Sequence, residues 1–283
     1  MMCDTPRIRR APLWPTAAAA WAASTVTLLT AVLTSLPVSA QDAGTLAPHD
    51  IEQFLLTAEI VHARPIGKGV TKPWRLTLSN GRITHDAAFQ SIETRKNLAR
   101  VGRRTELMFA DSYHFNIAAY RLARLLGLTD MVPMSVERRW NGRLGALTWW
   151  IDAAWDESDR KAQQLRPPDM QAWSAQLYRM VVFSELVYDT DRNDGNILYT
   201  ADWRLWMIDF TRAFRIWHEL QRPENLVSDE PLLLERLVAL DKRSLTAAMG
   251  KHLSSAETDA VLARRDLIVE RFSKLAASRA TGR

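Results

Sequence analysis

Three polar residues in the second half of the chain have types and spacings suited to chemistry on a metal-bound polyanion. Asp191 precedes Asn196 by five positions, and Asp209 follows Asn196 by thirteen. A carboxylate such as Asp191 can orient an attacking hydroxyl and accept its proton. An amide oxygen and a second carboxylate are hard ligands for a divalent cation. Base, ligand, ligand is the set that phosphoryl transfer from a nucleotide requires. Two other readings use the same residues. Asp, Asn and Gly clusters are ordinary turn chemistry, which would make this stretch a plain hairpin. Asp189, Asp191 and Asn193 also match the first, third and fifth ligands of a calcium loop. That loop needs Gly where Asp194 stands and Glu where Thr200 stands.

The residues around the three must position them. Asn196 to Tyr199 and Trp203 to Ile208 are apolar runs with Asp202 between them, so the pattern predicts loop, strand, turn, strand, loop. The run Asp191-Arg192-Asn193, then Asn196-Ile197-Leu198, resembles the D-R-H-x-x-N-I-L catalytic loop of phosphatidylinositol 3-/4-kinases and related atypical kinases. Ile208-Asp209-Phe210 resembles their metal-binding I-D-[FH]-G, and residues 51–275 as a whole resemble a group of bacterial proteins with that kinase-like fold. The resemblance implies Asp191 as catalytic base and Asn196 and Asp209 as ligands of Mg²⁺ or Mn²⁺, with ATP or another nucleotide as cofactor. Asn193 replaces the usual His and Thr211 the usual Gly, and Thr211 makes the loop less free to adopt positive φ.

Upstream, residues 54–65 read as a strand whose first half could be helical. A Gly67–Gly69 loop, a strand over 74–78, the turn Ser79-Asn80-Gly81 and a strand over 83–92 follow. A kinase small lobe begins this way, and Gly67 and Gly69 would let backbone amides approach phosphates. The resemblance places a phosphate-holding Lys on the third strand, where Gln90 stands, and its Glu partner on the next helix, where Asn116 stands. Both halves of the ion pair have become amides, which can bond to each other without charge. A shifted correspondence, with Lys68, Lys72 or Lys96 serving instead, is the other possibility.

Helical spacing of Ala118, Ala119, Leu122, Leu125 and Leu126 predicts a helix over 106–126, after a basic linker and before a Gly127 cap. Strands over 131–136 and 144–151 follow, and the resemblance places Trp149-Trp150-Ile151 at the hinge between lobes, where Trp150 would stack on adenine; Trp149 and Trp150 as core aromatics is the other reading. A charged loop spans 152–168. Helices are expected over 169–187, 230–240, 244–249 and 255–276, with Arg264, Arg265 and Asp266 on a solvated or salt-bridged face. The expected fold class is α+β, and with the resemblance it implies a two-lobed kinase-like fold, with a small β-rich N-lobe carrying one helix (51–151) and a mainly α-helical C-lobe (152–278).

The chain has 283 residues, 47% of them hydrophobic and 24% charged, which are globular values. Residues 1–40 differ: Arg7, Arg9 and Arg10, an uncharged stretch over 17–38, then Val38-Ser39-Ala40. This predicts a cleaved secretory signal peptide followed by a 41–50 linker, with an uncleaved membrane anchor as the alternative. The protein is therefore expected to be exported, periplasmic or secreted. The one cysteine, Cys3, lies inside that segment, so the mature chain would form no disulfide. Removing three Arg and Asp4 from the totals of 37 basic and 32 acidic residues leaves 34 and 31, a net +3. That balance calls for neither nucleic acid nor a membrane surface. The expected partners are a nucleotide and an acceptor that could be protein, lipid or small molecule. The alternative is an impaired pseudokinase that binds a ligand or partner without turnover.

Overall fold

The computed structural model describes residues 46–67, 72–102, 104–228 and 230–281. The expected signal peptide and Gly69 lie outside them. The first element is a helix, α1 (Pro48–Thr57), which occupies the first half of the strand expected from residue 54. Phe54 and Leu55 are buried beneath it, and Arg138 donates to Leu55 O (2.8 Å) and Ala58 O (2.6 Å), satisfying carbonyls at its end.

Strands β1 (Glu59–Pro65), β2 (Trp74–Ser79), β3 (Thr84–Gln90), β6 (Ser135–Trp140) and β7 (Arg143–Trp149) form one antiparallel sheet in the order β1-β2-β3-β7-β6. Its turns follow local chemistry. Asn80 Oδ1 accepts from the backbone of Arg82 and Ile83, and Asn141-Gly142 turns with φ of 47° and 75°. Gly145 has a steric reason: a Cβ there would meet Gln90 O at 2.4 Å, so the close approach of β7 to the end of β3 requires glycine.

Between β3 and the next helix lies a second sheet, the hairpin β4 (Glu93–Val101) and β5 (Arg104–Ser112). This corrects the basic linker and the helix start at Glu106. The helix α2 (His114–Leu126) begins eight residues later and ends at Gly127 with φ 69°. Glu106-Leu-Met-Phe-Ala consists largely of good helix formers, but tertiary pairing overrides that preference. Val101 pairs with Arg104 across a turn at Gly102 (φ 59°), Tyr113 N donates to Ile92 O (2.8 Å), and Ser112 N donates to Thr211 O (2.8 Å).

The C-terminal region is mainly helical: α3 (Glu157–Ala162), α4 (Met170–Leu186), α5 (Pro231–Ala239), α6 (Lys242–Met249) and α7 (Ser255–Thr281). A small sheet of β8 (Trp155–Asp156), β9 (Ile197–Tyr199) and β10 (Leu205–Met207), in the order β10-β9-β8, carries the central hairpin. Residues 152–168 therefore contain a strand and a helix rather than loop alone. Arg264 is not on a solvated face. It is fully buried in α7 and donates to Leu186 O (2.8 Å), Arg215 O (2.9 Å) and Trp217 O, tying the last helix to the end of α4. Burial without a carboxylate partner pushes its pKa down to about 10. No helix among the described residues is long and apolar enough to cross a membrane.

Candidate active site

The site lies where the central hairpin meets β3, α2 and the β4–β5 hairpin. Asn116 is buried in the first turn of α2, at 5% exposure. Its Oδ1 accepts from Phe210 N at 2.8 Å, which fixes the amide orientation because a backbone N–H can only donate. Asn116 Nδ2 must then face the other way, and it donates to Gln90 Oε1 at 2.6 Å. The two amides thus stand in direct contact, and the contact uses only the oxygen of Gln90. Lys96 lies exposed on β4, opposite Phe109, and Lys72 is exposed in the loop before β2.

The hairpin end is held by its own hydrogen bonds. Asn196 Nδ2 donates to Asp191 O at 2.9 Å, which leaves Asn196 Oδ1 as the ligand-type oxygen. Arg192 donates to Asn196 O and Ile208 O, each at 2.7 Å, and so ties the loop before β9 to the residue after β10. Its guanidinium also pairs with buried Asp189 at 2.5 Å and lies 4.4 Å from the centre of the Phe210 ring. Asn193 occupies the expected His position, where its Oδ1 caps Gly195 N and its Nδ2 donates to Asp191 Oδ1.

Asp209 has φ 54°. The left-handed conformation therefore falls on Asp209 itself and not on Thr211. Asp adopts it more readily than most residues, so the missing Gly at 211 carries no backbone penalty. The Thr211 hydroxyl donates to Asp209 Oδ1 at 3.0 Å.

The hairpin β4–β5 brings two carboxylates that sequence reasoning missed. Asp111 is half-buried, and its Oδ1, itself shielded from solvent, has no hydrogen-bond partner among the described residues. Burial raises its pKa, and the nearby Asp209 charge raises it further. Glu106 pairs with Arg212 (2.6 Å) and Arg215 (3.1 Å). Arg212 Nη1 in turn stands 3.7 Å from Asp191 Oδ2. The only sequence signal for these was Gly102, the turn of a hairpin with polar residues on both faces. Gly67 is exposed at the mouth of a loop that Ile66 N closes onto Pro73 O (2.8 Å). Trp150 follows β7 with the Arg75 guanidinium 4.1 Å over its ring, outside the Gln90–Asn116–Phe210 chain of contacts.

Asp209, Asn196 Oδ1 and the orphaned Asp111 Oδ1 are all hard oxygen donors. They fit a hard divalent cation, which prefers oxygen ligands and satisfies buried carboxylates.

No family model and no curated protein matches the sequence. Solved structures do match. A Golgi casein kinase superposes with a TM-score of 0.57 at 12% identity, over 82% of this chain and 75% of that one. The Golgi casein kinase with Mn/ADP bound gives 0.56 at 13%, over 82% and 76%. A Helicobacter pylori proinflammatory kinase, CtkA, gives 0.51 at 10%, over 81% and 98%. Identities this low establish the fold alone. That fold is kinase-like, with a β-sheet N-terminal region and a helical C-terminal region.

Proposed function

We propose that this chain is a phosphotransferase that binds a nucleotide with Mg²⁺ or Mn²⁺ and passes its terminal phosphoryl group to a hydroxyl acceptor. The single observation that carries this reading is the contact chain Gln90–Asn116–Phe210, which sets the amide pair beside the loop bearing Asp209. Asp209 and Asn196, with Asp111 beside them, would hold the metal. When bound, the metal would neutralise charge on the phosphates.

The chain's own residues would do the rest. Asp191 would orient the acceptor hydroxyl and accept its proton. Its Oδ1 is held by Asn193 (3.2 Å), which aims the carboxylate, and Arg212 sits near its other oxygen. Gly67 and Gly69 would cover the phosphates, Gln90 would offer its free amide nitrogen to them, and Trp150 would lie against the base. We further propose residues 51–151 and 152–278 as the two lobes, and export directed by residues 1–40. The Mn/ADP bound to one Golgi kinase supports the cofactor class.

A second reading rests on the amides themselves. With no Lys/Glu pair, phosphate-directed positive charge is reduced, which suits a protein that binds nucleotide and does not turn it over. Incubation of the full chain with γ-labelled ATP and Mn²⁺ separates the two. The phosphotransferase reading expects labelled product or phosphate release that falls by roughly 100-fold in Asp191→Ala, the scale of general-base loss, with nucleotide binding retained. Binding without any turnover in the wild type would favour the second reading.

A further inference from the structure

A different set of side chains gathers on the far side of α2's first turn. Among the described residues, His114, Glu137 and His252 are the one group of three His, Cys, Asp or Glu side chains whose ligand atoms all lie within 4.8 Å of one another. They come from three elements: the first residue of α2, the middle of β6, and the turn that follows α6. His114 Nδ1 and His252 Nδ1 are 2.8 Å apart.

We propose that His114, Glu137 and His252 form a binding site for a divalent transition-metal ion, with zinc the best fit, separate from the nucleotide site. Two imidazole nitrogens and one carboxylate oxygen are the ligand set of three-residue zinc sites, which leave a fourth position for water. Hard cations such as Mg²⁺ prefer all-oxygen sites, so the two histidines select against the ion of the nucleotide site. Zinc–nitrogen bonds of about 2.0–2.1 Å in a tetrahedron place ligand atoms about 3.3 Å apart. The imidazoles would need to part by only about half an ångström from 2.8 Å.

The surroundings suit the ion. Tyr113 Oη donates to Glu137 Oε1 at 3.0 Å, an outer contact of the kind that orients a ligating carboxylate. Lys251 pairs with the other oxygen of Glu137, but the lysine is 63% exposed and can swing into solvent at little cost. Arg121 donates to the carbonyls of Ala248 and Met249, so its hydrogen bonds are directed to the backbone and not to the imidazoles, although its charge stays near the site.

The consequence would lie in α2. His114 starts the helix whose first turn also carries Asn116, so a bound ion would pin that end of α2 to β6 and to the turn after α6.

Zinc binding to the full chain, stripped by EDTA and then titrated with Zn²⁺ against a chromophoric chelator, tests this. One equivalent should bind at micromolar concentration or tighter. His114→Ala and His252→Ala should each weaken it at least tenfold, and Asp209→Asn should leave it unchanged. X-ray absorption of the zinc-loaded wild type should show two imidazole ligands, a readout that needs no variant to fold. Equal binding by the histidine variants, loss of binding in Asp209→Asn, or a zinc spectrum without imidazole would each overturn the proposal. None of these outcomes depends on phosphotransfer, so failure here leaves the nucleotide reading standing, and the reverse holds too.

Discussion

The hairpin around Asp209 and the contact between β3 and α2 meet at a single backbone amide, Phe210 N–H. They have kept different things. On the proposed reading the hairpin end offers the oxygen groups a divalent metal would use, Asp209 and Asn196, and Asp111 adds a further carboxylate. The β3–α2 end joins two neutral amides, Gln90 and Asn116, where the proposed reading expects an ion pair. The difference shows which part of such a site geometry alone can preserve. A hydrogen bond between Gln90 and Asn116 holds α2 against the sheet as an ion pair would, and it avoids burying two charges. It cannot supply the field that a lysine ammonium would direct at phosphate oxygens.

The largest effect that would sharpen this contrast is expected at Asp209. Asp209→Asn keeps a residue that tolerates φ 54° and keeps an acceptor for Thr211, while removing the charge. Mn²⁺-dependent ADP binding measured by calorimetry should fall by about a hundredfold, roughly 2.8 kcal/mol, with the apo melting temperature nearly unchanged. An apo protein that unfolds on this substitution would mean that the hairpin residues are structural.

A smaller effect is expected at Asp111. Its folded pKa lies above the ordinary 3.8 because of burial and the Asp209 charge. The native state therefore holds that proton longer than the unfolded state does, and stability falls as pH rises through the window between the two values. Asp111→Asn removes this penalty. Its melting temperature should exceed that of the wild type at pH 7 by on the order of 2 °C and match it below pH 4. Saturating Mn²⁺ should narrow the gap by stabilising only the wild-type carboxylate. A variant that melts lower at pH 7 would place Asp111 in a purely structural role.

Much of this arrangement could be read from residue types. The spacing of Asp191, Asn196 and Asp209 marked the hairpin, and Asn80-Gly81 and Asn141-Gly142 marked two turns. The matched amides at 90 and 116 drew attention because each stood where a charge was expected. The β4–β5 hairpin was hidden for a physical reason. Leu98, Leu107 and Met108 are exposed and both faces carry charge, so no alternation separates an inner face from an outer one. Its stability comes from pairing and from contact with Thr211, which local propensity does not reveal. Asp111 and Glu106 were hidden with it. Arg264 was misplaced because burial of an arginine against carbonyls leaves no mark in periodicity. The cluster of His114, Glu137 and His252 spans 138 positions between its outer members, so only folding brings it together.

The claim that the amide pair occupies the place of a phosphate-directed ion pair is tested most directly by restoring that pair. Gln90→Lys combined with Asn116→Glu keeps an acceptor for Phe210 N and returns one cation beside the phosphates. Calorimetric titration of ATP with Mn²⁺ should show about tenfold tighter binding than the wild type, close to 1.4 kcal/mol, with Gln90→Lys alone gaining less. A double variant that folds as stably as the wild type and binds ATP no more tightly would contradict the account.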